Sequence, residues 1–345
     1  MTSATIILSS VFALAGIDAV SDSTKAHHEV VLELKSSIRA LDVVDENTII
    51  FSGYGGMVGI SKDSGTTWDT TRVEFEGRMP AFRACDSYQE NIFFASIESP
   101  GLIFRAPIDD LGSRELIYRN DNPSVFLDAM AFTEDGMGIV MGDPQHECLT
   151  IIRSHALESN WEEISCNNLP SAIKGEAAFA ASNGNISIVG ENVWIATGGK
   201  ASRVFYSGDS GETWEVFKTP LIQGDQMTGA FAISFRDGNT GIAVGGNWDD
   251  KENNKGNIAI SRDSGKSWEL ISEGTGPGYR SSIIWHPADL VTCVVIGSEG
   301  IDISYDEGNN WHRLSNEGYY TGRFTPDGKT IWLAGHGRIG KIELK

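Results

Sequence analysis

Seven short apolar runs in this 345-residue chain each open beside a side chain that can carry charge or stack: Arg39, Arg83, Asp128, Glu176, Phe231, Arg280 and Tyr320. The segments between runs add Tyr54, Asp143, His146, Lys200, Arg203, His336 and Arg338. If the runs converge, three arginines, two carboxylates and a tyrosine meet where apolar residues would have served. Arginine presents a planar fork matched to carboxylate or phosphate, so the first chemistry expected is capture of an anion. Its ligand-binding set is Arg39, Arg83, Arg280, Arg203, Tyr54, His146 and Arg338. A second chemistry uses Asp128 and Glu176 as an acid/base or nucleophile pair, with Tyr320 stacking on a sugar or acting as a nucleophile. A third reading is structural: Arg39 and Arg83 pair with Asp128 and Glu176 to neutralise buried charge. His146 and His336 read more simply as loop residues. The acidic loop 249–254 lacks a regular calcium ligand pattern and reads as a solvated insertion.

The elements that must position these residues are set by a repeat. Segments 61–68, 207–214, 261–268 and 304–311 all follow S-x-D-x-G-x-x-W. Such a pattern suits a tight hairpin turn: the Asp carboxylate accepts from turn amides, and Gly takes the positive-φ position. The Trp then opens the next strand and packs across the sheet. A degenerate copy at 154–161 keeps the Ser and Trp but has Ala156 in place of Asp. Around each copy the same order recurs: apolar strand, second strand ending in Gly, short loop, third strand, box, fourth strand. Units therefore run near 36–76, 80–118, 124–166, 175–219, 227–272, 279–315 and 319–345. The last supplies three strands, and the alternating stretch 28–34 supplies its fourth. The expected fold is all-β, a seven-bladed β-propeller of four-stranded antiparallel blades closed by the N-terminal strand.

The repeated pattern is the Asp box, and the chain resembles the Asp-box (bacterial neuraminidase repeat) propellers. Within that group it is similar to the photosystem II stability/assembly-factor type and related bacterial repeat proteins, and more distantly to sialidase-like propellers. The likeness is carried by the four boxes and by 128–132 (DAMAF), 138–144 (GIVMGDP), 175–180 (GEAAFA) and 194–199 (WIATGG), and it covers nearly everything after about residue 28. It implies that the box turns lie opposite the ligand face, where the inner strands start beside the channel. Asp boxes occur in sialidases, xyloglucan hydrolases, sorting receptors and non-catalytic assembly factors, so activity has to be argued from a site. Sialidases pair an arginine triad with a Tyr–Glu couple and an Asp. Here the same types come in another order, and Arg78-Met79-Pro80 follows the first box where the sialidase Arg-Ile-Pro precedes it. The expected function is a non-catalytic binding or assembly propeller whose Arg-rich mouth holds a carboxylate-bearing protein partner or an anionic glycan. The alternative is a carbohydrate-active enzyme, a glycoside hydrolase or lyase acting on an acidic sugar.

Composition limits the partners further. With 27 basic and 47 acidic residues the net charge is −20, which argues against nucleic acid and anionic membrane surfaces. No apolar run reaches the length of a membrane-spanning helix, and no Gly-rich turn suggests a dinucleotide; no cofactor and no metal are expected. Residues 1–26 read as a leader, either a signal peptide or disordered, and 27–345 as one domain, expected to be monomeric. Cys85 and Cys293 read as buried thiols. Cys148 and Cys166 flank one hairpin, where a cross-strand disulfide would favour an exported, periplasmic or secreted location. The charge then acquires a pattern: an acidic body with Arg39, Arg83, Arg203, Arg280 and Arg338 gathered at one mouth.

Overall fold

The computed structural model describes residues 27–155 and 160–344; the leader and the centre of the degenerate box, including Ala156, lie outside the described residues. Strands dominate, and one 3-10 turn covers Cys166–Asn168. Four sheets are four-stranded and antiparallel, for example Phe82–Tyr88, Asn91–Ser96, Gly101–Pro107 and Glu115–Asn120 in that order. Two are six-stranded. Apolar faces of neighbouring sheets close on one another, as where Phe93 of one sheet meets Phe132 and Trp161 of the next.

The propeller therefore has six blades among the described residues, not the seven expected from the repeat. The cause lies in one strand. His27–Val43 runs without a break, pairing with Thr330–Glu343 along its first half (Val30 opposite Gly340, Ser37 opposite His336). Its second half pairs with Ile49–Gly53 (Ala40 opposite Ser52). The first and last repeat units thus merge into one sheet, ordered Thr321–Phe324, Thr330–Glu343, His27–Val43, Ile49–Gly53, Met57–Ser61, Asp69–Arg72. Repeat counting sees two units where hydrogen bonding makes one sheet.

A second departure falls in the unit near 175–219. Its expected inner strand survives only as Glu176–Ala177, paired with Gly198–Gly199. Beyond it, 178–185 leaves the sheet and runs across the axis, bonding to strands on several sides. Asn183 Nδ2 donates to Cys85 O (2.8 Å) and its Oδ1 accepts from Met130 N (2.8 Å). Ser182 Oγ donates to Ser281 O (2.6 Å), and Gly184 O accepts from Ile233 N (2.8 Å). Mostly small side chains let this segment fit, and Asn183 stands at φ 56°, a region Asn tolerates better than most residues, and is almost fully buried.

The four complete boxes share one turn. In 207–214 the Ser207 hydroxyl donates to Asp209 Oδ1 (2.7 Å) and accepts from Gly211 N (2.8 Å), while Thr213 N donates to Asp209 Oδ1 (2.9 Å). The same bonds recur at Asp63, Asp263 and Asp306. Thr67, through its hydroxyl and amide, holds Asp63 below the usual carboxylate range. The backbone turns left-handed twice, first at Ser64, Ser210, Ser264 and Glu307, then at the box Gly. At Gly65 a Cβ would also stand 2.5 Å from the Trp332 ring, so glycine is required on two counts.

Cys148 and Cys166 are joined by a disulfide with Cα atoms 5.5 Å apart, while Cys85 and Cys293 are buried thiols. Ser207→Ala would strand the buried Gly211 amide without an acceptor. The expected cost is about 1–3 kcal/mol, read as a lower urea midpoint; an unchanged midpoint would show that the turn holds without its hydroxyl.

Candidate functional site

At one end of the axis the crossing segment forms the floor of a cup of about 560 Å³, its Ala178, Phe179, Ala180 and Ala181 lining the base. On the other side its Gly184 lines a separate cavity, with Trp285 and Phe324, at the opposite end. The axis is thus closed and the cup has a bottom.

Arg39 and Arg83 reach into this cup from adjacent strands, His27–Val43 and Phe82–Tyr88. Floor carbonyls aim them: Arg39 Nη1 donates to Ala181 O (3.2 Å) and Arg83 Nη1 to Ala180 O (3.3 Å). The Arg39 guanidinium also lies 4.0 Å over the Tyr320 ring, which places that tyrosine as a support beneath a cation. Among the described residues neither guanidinium comes within 4.0 Å of a carboxylate. Burial, with the Arg39 charge beside it, lowers the Arg83 pKa; Asp128, Glu98 and Tyr320 partly offset this. Two neighbouring cations, half withdrawn from water and with no carboxylate in contact among the described residues, form a site in which an anion would be stabilised.

The other arginines are paired. Glu176, 4 % exposed, is saturated: Oε1 accepts from Arg203 Nε (2.9 Å) and Thr197 Oγ1 (2.5 Å), Oε2 from Ile173 N (2.8 Å) and from Arg203 Nη2. Arg203 Nη2 also donates to Ser171 O (2.8 Å). Arg280, 2 % exposed, clamps Asp302 through Nε (3.0 Å) and Nη2 (2.5 Å) and donates to Tyr279 O. Arg338 pairs with Glu317 (2.9 Å) and covers the Tyr319 ring. The structure therefore brings Arg39, Arg83 and Tyr320 together and sets Arg203, Arg280 and Arg338 into ion pairs. Tyr54 and His146 are exposed in loops, and His336 is exposed within strand Thr330–Glu343; Tyr54 is 63 % exposed.

Asp128 lies next to Arg83 in charge space but is fully buried, and neither oxygen has a hydrogen-bond partner of good geometry among the described residues. Burial, reinforced by the Asp143 charge, pushes its pKa well above the usual range, against the opposing pull of the Asp143 amide and Arg83. Asp143, whose Oδ1 accepts from Ala178 N (2.8 Å), is also raised by burial. Asp128 and Glu176 thus differ in kind: one is sealed, with its pKa raised by burial, and the other is held by four donors.

The remaining wall is aromatic. Phe179 stacks on Phe231 (3.9 Å, 7°), and Tyr279 meets Phe231 edge-on (4.8 Å). Trp248 lines the cup, 45 % exposed, with Lys251 Nζ 5.0 Å from its ring centroid. Trp248, Tyr279, Met227 and Phe126 are lining residues that the sequence reading missed. The signal for Trp248 was available: it follows strand Gly241–Asn247 in the loop position that singled out Tyr54 and Asp143. Tyr279 sits one residue before the strand start assigned to Arg280.

No protein-family model matches the chain, and no curated protein sequence matches it at a significant level. Solved structures do. YCF48 bound to a D1 peptide aligns with TM-score 0.67 at 14% identity, covering 94% of this chain and 98% of that one. YCF48 from Cyanidioschyzon merolae gives 0.64 at 14% identity over 92% and 98%. An inactive virginiamycin B lyase from Staphylococcus aureus with quinupristin gives 0.66 at 14% identity over 94% and 100%. The shared property is the β-propeller fold.

A carboxyl group whose pKa is raised by folding contributes stability below its unfolded value of about 3.9, and that contribution is lost as pH rises toward the folded value. Asp128→Asn cannot ionise. Its thermal midpoint relative to the parent should therefore climb between pH 4 and 8; parallel curves would place the Asp128 carboxyl in a solvated setting instead.

Proposed function

We propose that this chain is a non-catalytic binding propeller whose cup holds an anionic group of a protein partner, most simply a carboxylate, between Arg39 and Arg83. The observation that carries the reading is the pair of half-buried guanidiniums with no carboxylate in contact among the described residues, aimed by the Ala180 and Ala181 carbonyls. The stacked Phe179 and Phe231, with Trp248, offer an apolar wall for the part of the ligand next to its charge. Loops around the same end expose Tyr54, Met79, Ile173 and Trp248, which suits a partner larger than a free anion. One propeller of similar fold was solved with a peptide bound, which supports a peptide as the class of ligand.

An acidic body of net charge −20 shapes how such a partner arrives. It repels extended polyanions, while a single carboxylate at the end of a flexible chain can enter the cup and meet both cations. Glycoside hydrolysis uses two carboxyl groups open to the sugar, one as acid and one as nucleophile or base, and Glu176, bonded to Arg203, Thr197 and Ile173, is not open.

The test is calorimetric titration with a short peptide ending in an aliphatic residue and a free carboxylate, beside its C-terminal amide. The free acid should bind and the amide should bind at least about tenfold more weakly, as expected for a hydrogen-bonded charge worth about 1.5–3 kcal/mol. Arg39→Ala/Arg83→Ala should abolish the difference while leaving the unfolding midpoint within about 1 kcal/mol of the parent. Equal binding of acid and amide by the parent protein would sink the proposal.

A further inference from the structure

We propose that the Cys148–Cys166 disulfide is a thiol-exchange site whose reduction loosens the floor of the cup and weakens anion binding. The inference rests on the binding role just argued for Arg39 and Arg83. The two cysteines differ in access: Cys148 is buried, whereas Cys166 is exposed on the 3-10 turn and open to an external thiol.

The bond anchors a segment that belongs to no sheet, with Ile164 and Leu169 packed against the core beside it. The preceding strand, Glu162–Glu163, has only two residues, and 164–175 contains no strand. Its fastenings form a chain. Ile164 N donates to Ile151 O (2.8 Å), the disulfide follows, Cys148 and Ser171 form an isolated β-bridge, and Ala172 N donates to Glu147 O (2.6 Å). Ser171 O then accepts from Arg203, which grips Glu176, whose other oxygen accepts from Ile173 N. Glu176 leads directly into the crossing segment, where Ala180 and Ala181 present the carbonyls that aim Arg83 and Arg39. The path from Cys166 to the two guanidiniums is therefore a continuous run of backbone and hydrogen bonds.

The exchange balances with a dithiol as reductant. One thiolate of the dithiol attacks Cys166 Sγ, and Cys148 Sγ leaves with the bonding pair and takes up a proton. The second thiolate attacks the mixed disulfide, releasing Cys166 as a thiol and leaving the dithiol as a cyclic disulfide. Two electrons and two protons pass to the protein. Cys85 and Cys293 are buried and take no part.

The experiment compares the full chain before and after dithiothreitol, with alkylation and mass measurement to count freed thiols, and titrates each form with the carboxylate-ending peptide. Reduction should weaken binding about fivefold or more, the range of ordinary coupling between sites, and reoxidation should restore it. Cys148→Ser/Cys166→Ser should match the reduced form. If that variant does not fold, hydrogen exchange on the reduced parent gives the second reading: amides of 171–183 should exchange faster while the strands of other sheets do not. Unchanged affinity with both thiols freed overturns the coupling, as does global loss of the circular dichroism signal on reduction. If the oxidised protein does not bind the peptide, the binding role fails, and the hydrogen exchange then decides the linkage alone: faster exchange in 171–183 supports it and unchanged exchange overturns it.

Discussion

The Asn183 side chain accepts from Met130 N and donates to Cys85 O, and those two bonds hold a non-sheet segment across the molecular axis. Without that closure the axis would be open from end to end. With it, one end becomes a cup whose base is made of backbone, and backbone carbonyls are what orient Arg39 and Arg83. The geometry of the candidate site is therefore inherited from the middle of the fold. A single buried amide serves strands of two different sheets, which is why an alanine-rich segment with little grip of its own stays in place.

Charge is arranged by the same logic. Arg203 and Arg280 are buried against Glu176 and Asp302, with each carboxylate receiving two guanidinium nitrogens or more. Such pairs fix geometry and leave no cation for a ligand. Arg39 and Arg83 lack this contact compensation, and what surrounds them is a carbonyl apiece, an aromatic ring under Arg39, and a fully buried Asp128 carboxyl whose pKa burial raises.

How far the sequence speaks can be judged from particular residues. The box turns were legible because their hydrogen bonds are local: Ser207, Asp209, Gly211 and Thr213 lie within seven positions. The extra left-handed residue before each Gly was not, since Ser and Glu give no hint of it. Repeat counting gave seven units because it cannot see that His27–Val43 is one uninterrupted strand serving both ends of the chain. Stretch 175–180 read as a strand because its apolar content suits one, yet the decisive partner is Asn183, whose bonds reach residues about a hundred and about fifty positions away. Arg39 stands over Tyr320 and lines the cup with Arg83; which arginines would be ion-paired depended on Asp302 and Arg203 meeting side chains from other strands, information that no local pattern holds.

The shared strand His27–Val43 also sets an order of events for the growing chain. Its first half finds its partner only in Thr330–Glu343, and His28 meets Tyr319 across 291 positions of sequence. During synthesis on the ribosome every other sheet can complete itself from segments already made, while residues 27–37 wait with one edge unpaired until the last strand emerges. An unpaired edge held open that long is where another copy of the chain could pair instead. Glu29, Glu33 and Lys35 place charge along that waiting edge, and the cost of taking those charges out of water opposes pairing with another copy.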